Sequence, residues 1–538
     1  MTAKVSKKNS FSTLSYQVLW LGSGIRPPRT IPLGPYRSHP EIADMLREKW
    51  AFAVILIMLV LCVQTVLRGK LWHIDMNKIL KTFVLVGIIQ ITIAFLQLIG
   101  IIPSFHQFFR FTATFRNPAI YAMMLTLCLP ICIFYSINSV DKSRYKWNIL
   151  IFLLTLWIVI SESRASMIAA ACSSFAVVYF ESSRFRNIMS FRRIWFLILI
   201  CGIIILIGLY FYKRDSADGR ILIWLVSLKM IATKPIFGWG EDGFAASYMP
   251  YQAMFLQENE ESRFAYLADN ITHPFNEFLL LAIKYGILGV VVLFGIIALI
   301  AVMIRNNRGK YMSLHIAILL TVIILSMFTN AFTIPIVWIC VIFVICLVVS
   351  EYCMPAPKRR LTMAMLLLIP ILLILFNNRN ILSELRWHNS QKSSASVNEV
   401  LDEYRRIYTH LKANASFLYN YGALLHYNGF YEESQDILIE CTRFYDDYNV
   451  RLLMADNYKQ IGEVSNSIET FEYAQAMVPC RFLPLYHEMK VYEDIGDSVN
   501  ACHVAKRIIE KPAKIEKSPS VQKIKQEAKM LVCRLDCK

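Results

Sequence analysis

Charge is what this chain of 538 residues has little of. Asp, Glu, Lys and Arg make up 18% of it against 56% hydrophobic residues, and mean hydropathy is +0.45. One soluble core cannot hide that much apolar surface, which excludes a water-soluble globular protein and leaves a polytopic membrane protein. Acidic residues are the scarcer sign, 39 against 56 basic ones, for a net charge of +17. The basic excess sits mainly in short loops, 184–193, 305–310 and 358–360, which the positive-inside rule assigns to the cytoplasm. The charge therefore reports topology, and no nucleic-acid partner is expected. None of the 13 cysteines shows CxxC spacing. Seven lie in apolar runs and read as small hydrophobes. Five, Cys441, Cys480, Cys502, Cys533 and Cys537, fall in the C-terminal region, where an odd number leaves at least one thiol unpaired or bridging elsewhere.

Uncharged apolar runs of span length number about ten: 50–67, 82–102, 118–137, 147–160, 165–180, 194–212, 278–304, 314–327, 331–350 and 361–376. The fold class expected is all-α, a helical membrane domain over 50–376 followed by soluble helices. With the basic loops inside, the Arg116-Asn117-Pro118 loop, the Ser161-to-Arg164 break, the long loop 213–272, the Thr329-Asn330 turn and everything after Asn377 face the other side. Residues 1–49 are polar and basic and carry no span or cleavable signal pattern. Ten spans would put that segment outside, against the charge rule, so a missed span or a truncated or misassigned start is expected.

From Ser394 the composition is that of soluble helices. Leu424, Tyr458 and Tyr492 are 34 apart, and Gly429, Gly462 and Gly496 are 33 and 34 apart. Ser434, Ser467 and Ala501 each follow the glycine by 5, and Pro479 and Pro512 close two units. Glycine suits a tight inter-helix turn and the small residue close packing, so 394–538 looks like three tetratricopeptide repeats with flanking helices. Such a stack binds a protein partner or braces the membrane domain.

Arg164 interrupts an apolar stretch of 34 residues, 147–180. A charge there either snorkels to headgroups or clamps an anion, since guanidinium offers phosphate a planar fork of donors. Arg220 and Trp224 share a helix face just after the next span, and as an alternative to substrate binding they would be an interfacial anchor. His273, with Asn276 and Glu277 on the following turn, sits where the long loop re-enters the membrane. An imidazole of ordinary pKa can take a proton from an acceptor hydroxyl, and Glu277 is the second choice of base. The long loop carries no Asp-x-Asp motif, so two arginines neutralising a pyrophosphate without metal or cofactor is the economical reading.

Four blocks in order resemble the O-antigen ligase and polymerase superfamily. They are Phe115-Arg-Asn-Pro118, Ser161-Glu-Ser-Arg-Ala-Ser166, Arg220-Ile-Leu-Ile-Trp224 through Pro235-Ile-Phe-Gly-Trp-Gly240, and His273-Pro-Phe-Asn-Glu-Phe278 with Tyr285-Gly-Ile-Leu-Gly289. The resemblance covers roughly 105–350. It implies a glycosyltransferase of the bacterial inner membrane that takes a glycan from undecaprenyl pyrophosphate and passes it to a periplasmic acceptor such as lipid A core. Arg164 and Arg220 would hold the leaving group, His273 would activate the acceptor, and Trp224, Asn276 and Arg116 would contact substrate. The sequence departs from the family at Phe275, where histidine is common, and in its span count, which is about twelve in the family. A repeat-unit polymerase and a protein O-oligosaccharyltransferase fit the same chemistry. A transporter or a scaffold that recruits partners through the repeats is the reading from a different class.

Overall fold

The computed structural model describes residues 76–104, 109–115, 117–140, 142–259, 263–306, 309–333, 337, 378–390, 396–514 and 518–536. The segment 1–49, the runs 50–67 and 361–376, all of 338–350, and Arg116 lie outside the described residues. Among the described residues no strand forms. The helices are α1 (Met76–Leu98), α2 (Pro118–Asn138), α3 (Lys142–Ile160), α4 (Arg164–Glu181), α5 (Ser183–Ile188), α6 (Arg192–Tyr212), α7 (Arg214–Thr233), α8 (Gly243–Glu258), α9 (Phe264–Leu267), α10 (Glu277–Asn306) and α11 (Met312–Phe328). The chain is an all-α, multi-pass membrane protein. Helices α1, α2, α3, α6 and α10 are long and apolar enough to span, and α11 is a shorter apolar helix. The first described helix covers Met76–Leu98, so the helix holds residues N-terminal to the expected run 82–102 and stops before its end.

Asn117 starts α2 by accepting from Ala119 N at 2.8 Å, with Pro118 at the first helical position, where a missing N–H costs nothing. From Tyr121 to Ser136 the helix is buried all round, which makes it the axis of the bundle. Helix α4 packs between α2 and α11 and buries Ala165, Ser166, Ala169, Ala170, Ser173 and Ala176. In lipid there is no hydrophobic drive between helices, so small side chains that let backbones approach supply the packing instead. Ile203 to Ile205 of α6 and Val291 and Val292 of α10 point outward, as on a lipid-facing span.

Polar contacts mark the two ends of this bundle. At one, Ser313 Oγ donates to Glu181 Oε1 at 2.5 Å, Asn138 Nδ2 to Glu181 Oε2 at 2.9 Å and Tyr135 to Asn77 at 3.0 Å. At the other, Lys213 pairs with Glu162 at 2.6 Å, and Phe332 N donates to Glu277 Oε1 at 2.9 Å. The turn before α4, the end of α6, the start of α10 and the turn after α11 therefore share one side, as the alternating topology requires.

The C-terminal helices are α12 (Asn378–Ser390), α13 (Val397–Leu411), α14 (Ala415–Tyr427), α15 (Tyr431–Thr442), α16 (Tyr448–Ile461), α17 (Val464–Met477), α18 (Leu483–Asp494), α19 (Ser498–Glu510) and α20 (Pro519–Arg534). Each of α14, α16 and α18 is followed by a left-handed glycine, Gly429, Gly462 or Gly496, at φ 83°, 92° and 79°. The small residues then dock on the preceding helix. Ser434 donates to Gly422 O and Ser467 to Ala455 O, both at 2.8 Å. Cys502 is disulfide-bonded, while Cys441, Cys480 and Cys533 are free thiols.

Candidate active site

The break between α3 and α4 is a tight reversal. Ser161 Oγ donates to Ile158 O at 2.6 Å, Glu162 adopts φ 55°, and Arg164 becomes the first residue of α4. From there its guanidinium crosses to the junction of α6 and α7, donating to Leu209 O at 3.0 Å and Ser216 Oγ at 3.1 Å. Arg164 therefore ties three helix ends together rather than reaching alone to headgroups.

Helix α7 is anchored by one buried carboxylate. Asp218 accepts from Tyr210 at 2.6 Å and pairs with Arg263 at 2.9 Å and Arg214 at 3.5 Å. Those two arginines are thereby committed. Arg220 is half-buried, with Phe275 beneath its guanidinium at 5.7 Å from the ring centroid. Burial first, and the Arg164 charge second, lower its pKa from the ordinary value, and a guanidinium still keeps its proton at neutral pH. Among the described residues neither Arg164 nor Arg220 has a carboxylate within ion-pair distance. Two like charges held together favour an anion between them.

The third and fourth sequence blocks form one clasp. Trp239 N donates to Ile283 O at 2.7 Å, Gly240 N to Lys284 O at 3.0 Å and Ile287 N to Pro235 O at 2.8 Å. The 235–240 segment thus replaces helical bonds that α10 loses at a kink at Gly286, φ 64°. A Cβ on Gly238 would stand 2.4 Å from Ile283 O, so only glycine lets the strands of backbone meet.

That clasp fixes the start of α10. Asn276 Oδ1 accepts from Phe278 N and Leu279 N, both at 3.0 Å, so its side chain caps the helix. Glu277 holds the turn after α11 through Phe332 N. Trp224 Nε1 donates to Pro274 O at 3.1 Å and so binds α7 to the His273 block. Phe275, at φ 50°, is a non-glycine residue in the left-handed region, which is strained backbone where the clasp, the arginine and the helix start converge.

A cavity of about 680 Å³ opens beside Arg220, lined also by Asp215, Ser216, Ile271 and Phe275. Its size suits a small polar ligand. His273 stands between two lining residues without lining the cavity itself. The structure thus brings Arg164, Arg220, Trp224, Phe275 and the His273–Glu277 turn to one place. Among the cavity residues that no motif announces are Gln252 on α8, Tyr266 on α9 and Lys514 after α19.

Residues 149–294 match the family model described as O-antigen ligase. That segment, about a quarter of the chain, is similar to an O-antigen ligase domain. That domain contains Arg164, Arg220, the clasp and the His273 block, and its chemistry is that of a ligase-type membrane glycosyltransferase. No curated protein matches the chain.

Proposed function

We propose that the O-antigen ligase domain transfers a glycan from undecaprenyl pyrophosphate to an acceptor such as lipid A core at the periplasmic face of the inner membrane. The long loop and the C-terminal helices, read as tetratricopeptide-type repeats over 394–538, lie on that face. The observation that carries the reading is the pair Arg164 and Arg220, without a carboxylate in ion-pair distance among the described residues, at the end of the bundle where a lipid-linked pyrophosphate would emerge.

The acceptor oxygen forms a bond to the anomeric carbon as the carbon–oxygen bond to pyrophosphate breaks. The electron pair leaves on the pyrophosphate, and the acceptor proton passes to His273, or to Glu277 if the histidine is dispensable. Charge builds mainly on the departing phosphates, so preorganised guanidinium groups carry the larger share of stabilisation. Asn276 and Trp224 act chiefly by holding the turn in place, through the cap and the Pro274 contact. No cofactor is needed for this displacement.

The test is transfer from radiolabelled undecaprenyl pyrophosphate oligosaccharide in reconstituted membranes with EDTA, scoring glycolipid, polymer and protein products. Wild type should label one class, and Arg164→Ala and Arg220→Ala should each lower the rate about 100-fold or more. Full transfer by either variant would remove that arginine, and full transfer by both would refute the pyrophosphate clamp. Label in protein or polymer would move the acceptor to those classes.

A further inference from the structure

Part of the cavity wall does not come from the ligase domain. Lys514 follows α19, outside residues 149–294, yet lines the same cavity as Arg220. The residues just before it are tied to the loop and to the preceding helices. Tyr266 donates to Ala513 O at 3.3 Å, Arg481 pairs with Asp269 at 2.7 Å, and Lys511 donates to Arg481 O at 2.6 Å. Gln252, fully buried in the cavity wall, donates to both Asp269 O at 3.1 Å and Met477 O at 2.7 Å, and it accepts from Tyr248 at 2.9 Å. Asn270 reaches Asp447 at 2.5 Å, and α8 packs along α17. Loop and C-terminal helices therefore form one continuous core around the cavity rather than a tethered accessory.

Charges of both signs line the cavity. Arg220 lines the cavity from α7, and Lys514 lines it from the segment that follows α19. Asp269 is neutralised by Arg481, and Asp215 also faces the space. A glycan whose pyrophosphate is held by the arginines would extend toward Lys514.

Resting on the glycosyltransferase reading, we propose that Lys514 recognises an anionic substituent of the transferred glycan, a sugar carboxylate or phosphate, and so makes the C-terminal helices part of the specificity site. An ammonium group with three donors suits a single anionic oxygen group on a sugar, whereas the guanidinium pair suits the pyrophosphate.

The experiment uses the full chain in nanodiscs and three probes, inorganic pyrophosphate, methyl glucuronide and methyl glucoside, titrated by ligand-observed NMR. Lys514→Gln should weaken methyl glucuronide about tenfold and leave the other two unchanged, and Lys514→Arg should retain the glucuronide. Arg220→Gln should weaken pyrophosphate. Equal loss of pyrophosphate in both variants would assign the lysine to the leaving group and overturn the glycan assignment. Unchanged glucuronide binding in Lys514→Gln, or none by wild type, would overturn the role of the C-terminal helices while the arginine result stands. Pyrophosphate binding indifferent to Arg220 would instead sink the transferase reading. Lys514 is exposed, so the variant should unfold at the wild-type temperature.

Discussion

Replacing Gly286 with alanine asks whether the Pro235–Gly240 and Tyr285–Gly289 blocks work as one clasp. Gly286 interrupts α10 at φ 64° and ψ −160°, a conformation that costs a residue with a Cβ about 1–3 kcal/mol. The added Cβ would lie 2.1 Å from Ile236 O and 2.7 Å from Pro235 O, far inside contact distance, so one backbone must move. Moving it breaks the bonds Trp239 N to Ile283 O, Gly240 N to Lys284 O and Ile287 N to Pro235 O. Each is worth about 1 kcal/mol net, which brings the local loss to about 4–6 kcal/mol. At about 1.4 kcal/mol per decade, the clasp should open about three to four decades more often. Hydrogen exchange with mass spectrometry on the full chain in nanodiscs should therefore show peptides over 235–240 and 283–287 exchanging at least about 100-fold faster, with the C-terminal helices unchanged. Gly295→Ala on the same helix is the control, because an added methyl there meets nothing within 4 Å. Wild-type exchange in Gly286→Ala would refute the clasp.

Arg220→Lys keeps the charge and loses the fork, so transfer should fall about tenfold or more, and a wild-type rate would show that charge alone suffices. Asn270→Ala removes a donor from fully buried Asp447, which retains Tyr445 and Val450 N; the cost should be about 1–3 kcal/mol, read as a lower unfolding temperature. Glu488 is buried with Oε2 unpartnered among the described residues, and burial lifts its pKa from 4.5 to about 7 against the partial opposition of Arg507. The folded state then binds that proton more tightly than the unfolded one, so stability is full below about pH 4.5 and falls as pH rises toward about 7. Glu488→Gln has no proton to lose. It should match wild type near pH 4.5 and exceed it at pH 8 by about 2–3 kcal/mol; parallel pH profiles would contradict the assignment.

Much of the site was legible because membrane helices confine chemistry to their ends. An arginine interrupting an apolar run has to sit at an interface, and the charge pattern of the loops then says which arginines share a side. Arg164 and Arg220 were expected on one side on that ground, and the Leu209 and Ser216 contacts bring the Arg164 guanidinium to the helix that carries Arg220. The roles of Asn276 and Phe275 were not legible. A helix-capping asparagine and a substrate-binding one look alike in a sequence, and nothing about a phenylalanine announces that an arginine will stand over it.

The sequence by itself determined the all-α, multi-pass membrane class and the positions of several apolar spans. Those follow from hydropathy, charge and spacing, which act over one helix or one turn. Tertiary structure decided that two glycine-containing blocks 40-odd residues apart share backbone hydrogen bonds, and that Lys514 reaches a cavity built around Arg220. Backbone pairing and long-range closure depend on where two chain segments meet in space. No single residue type records that meeting.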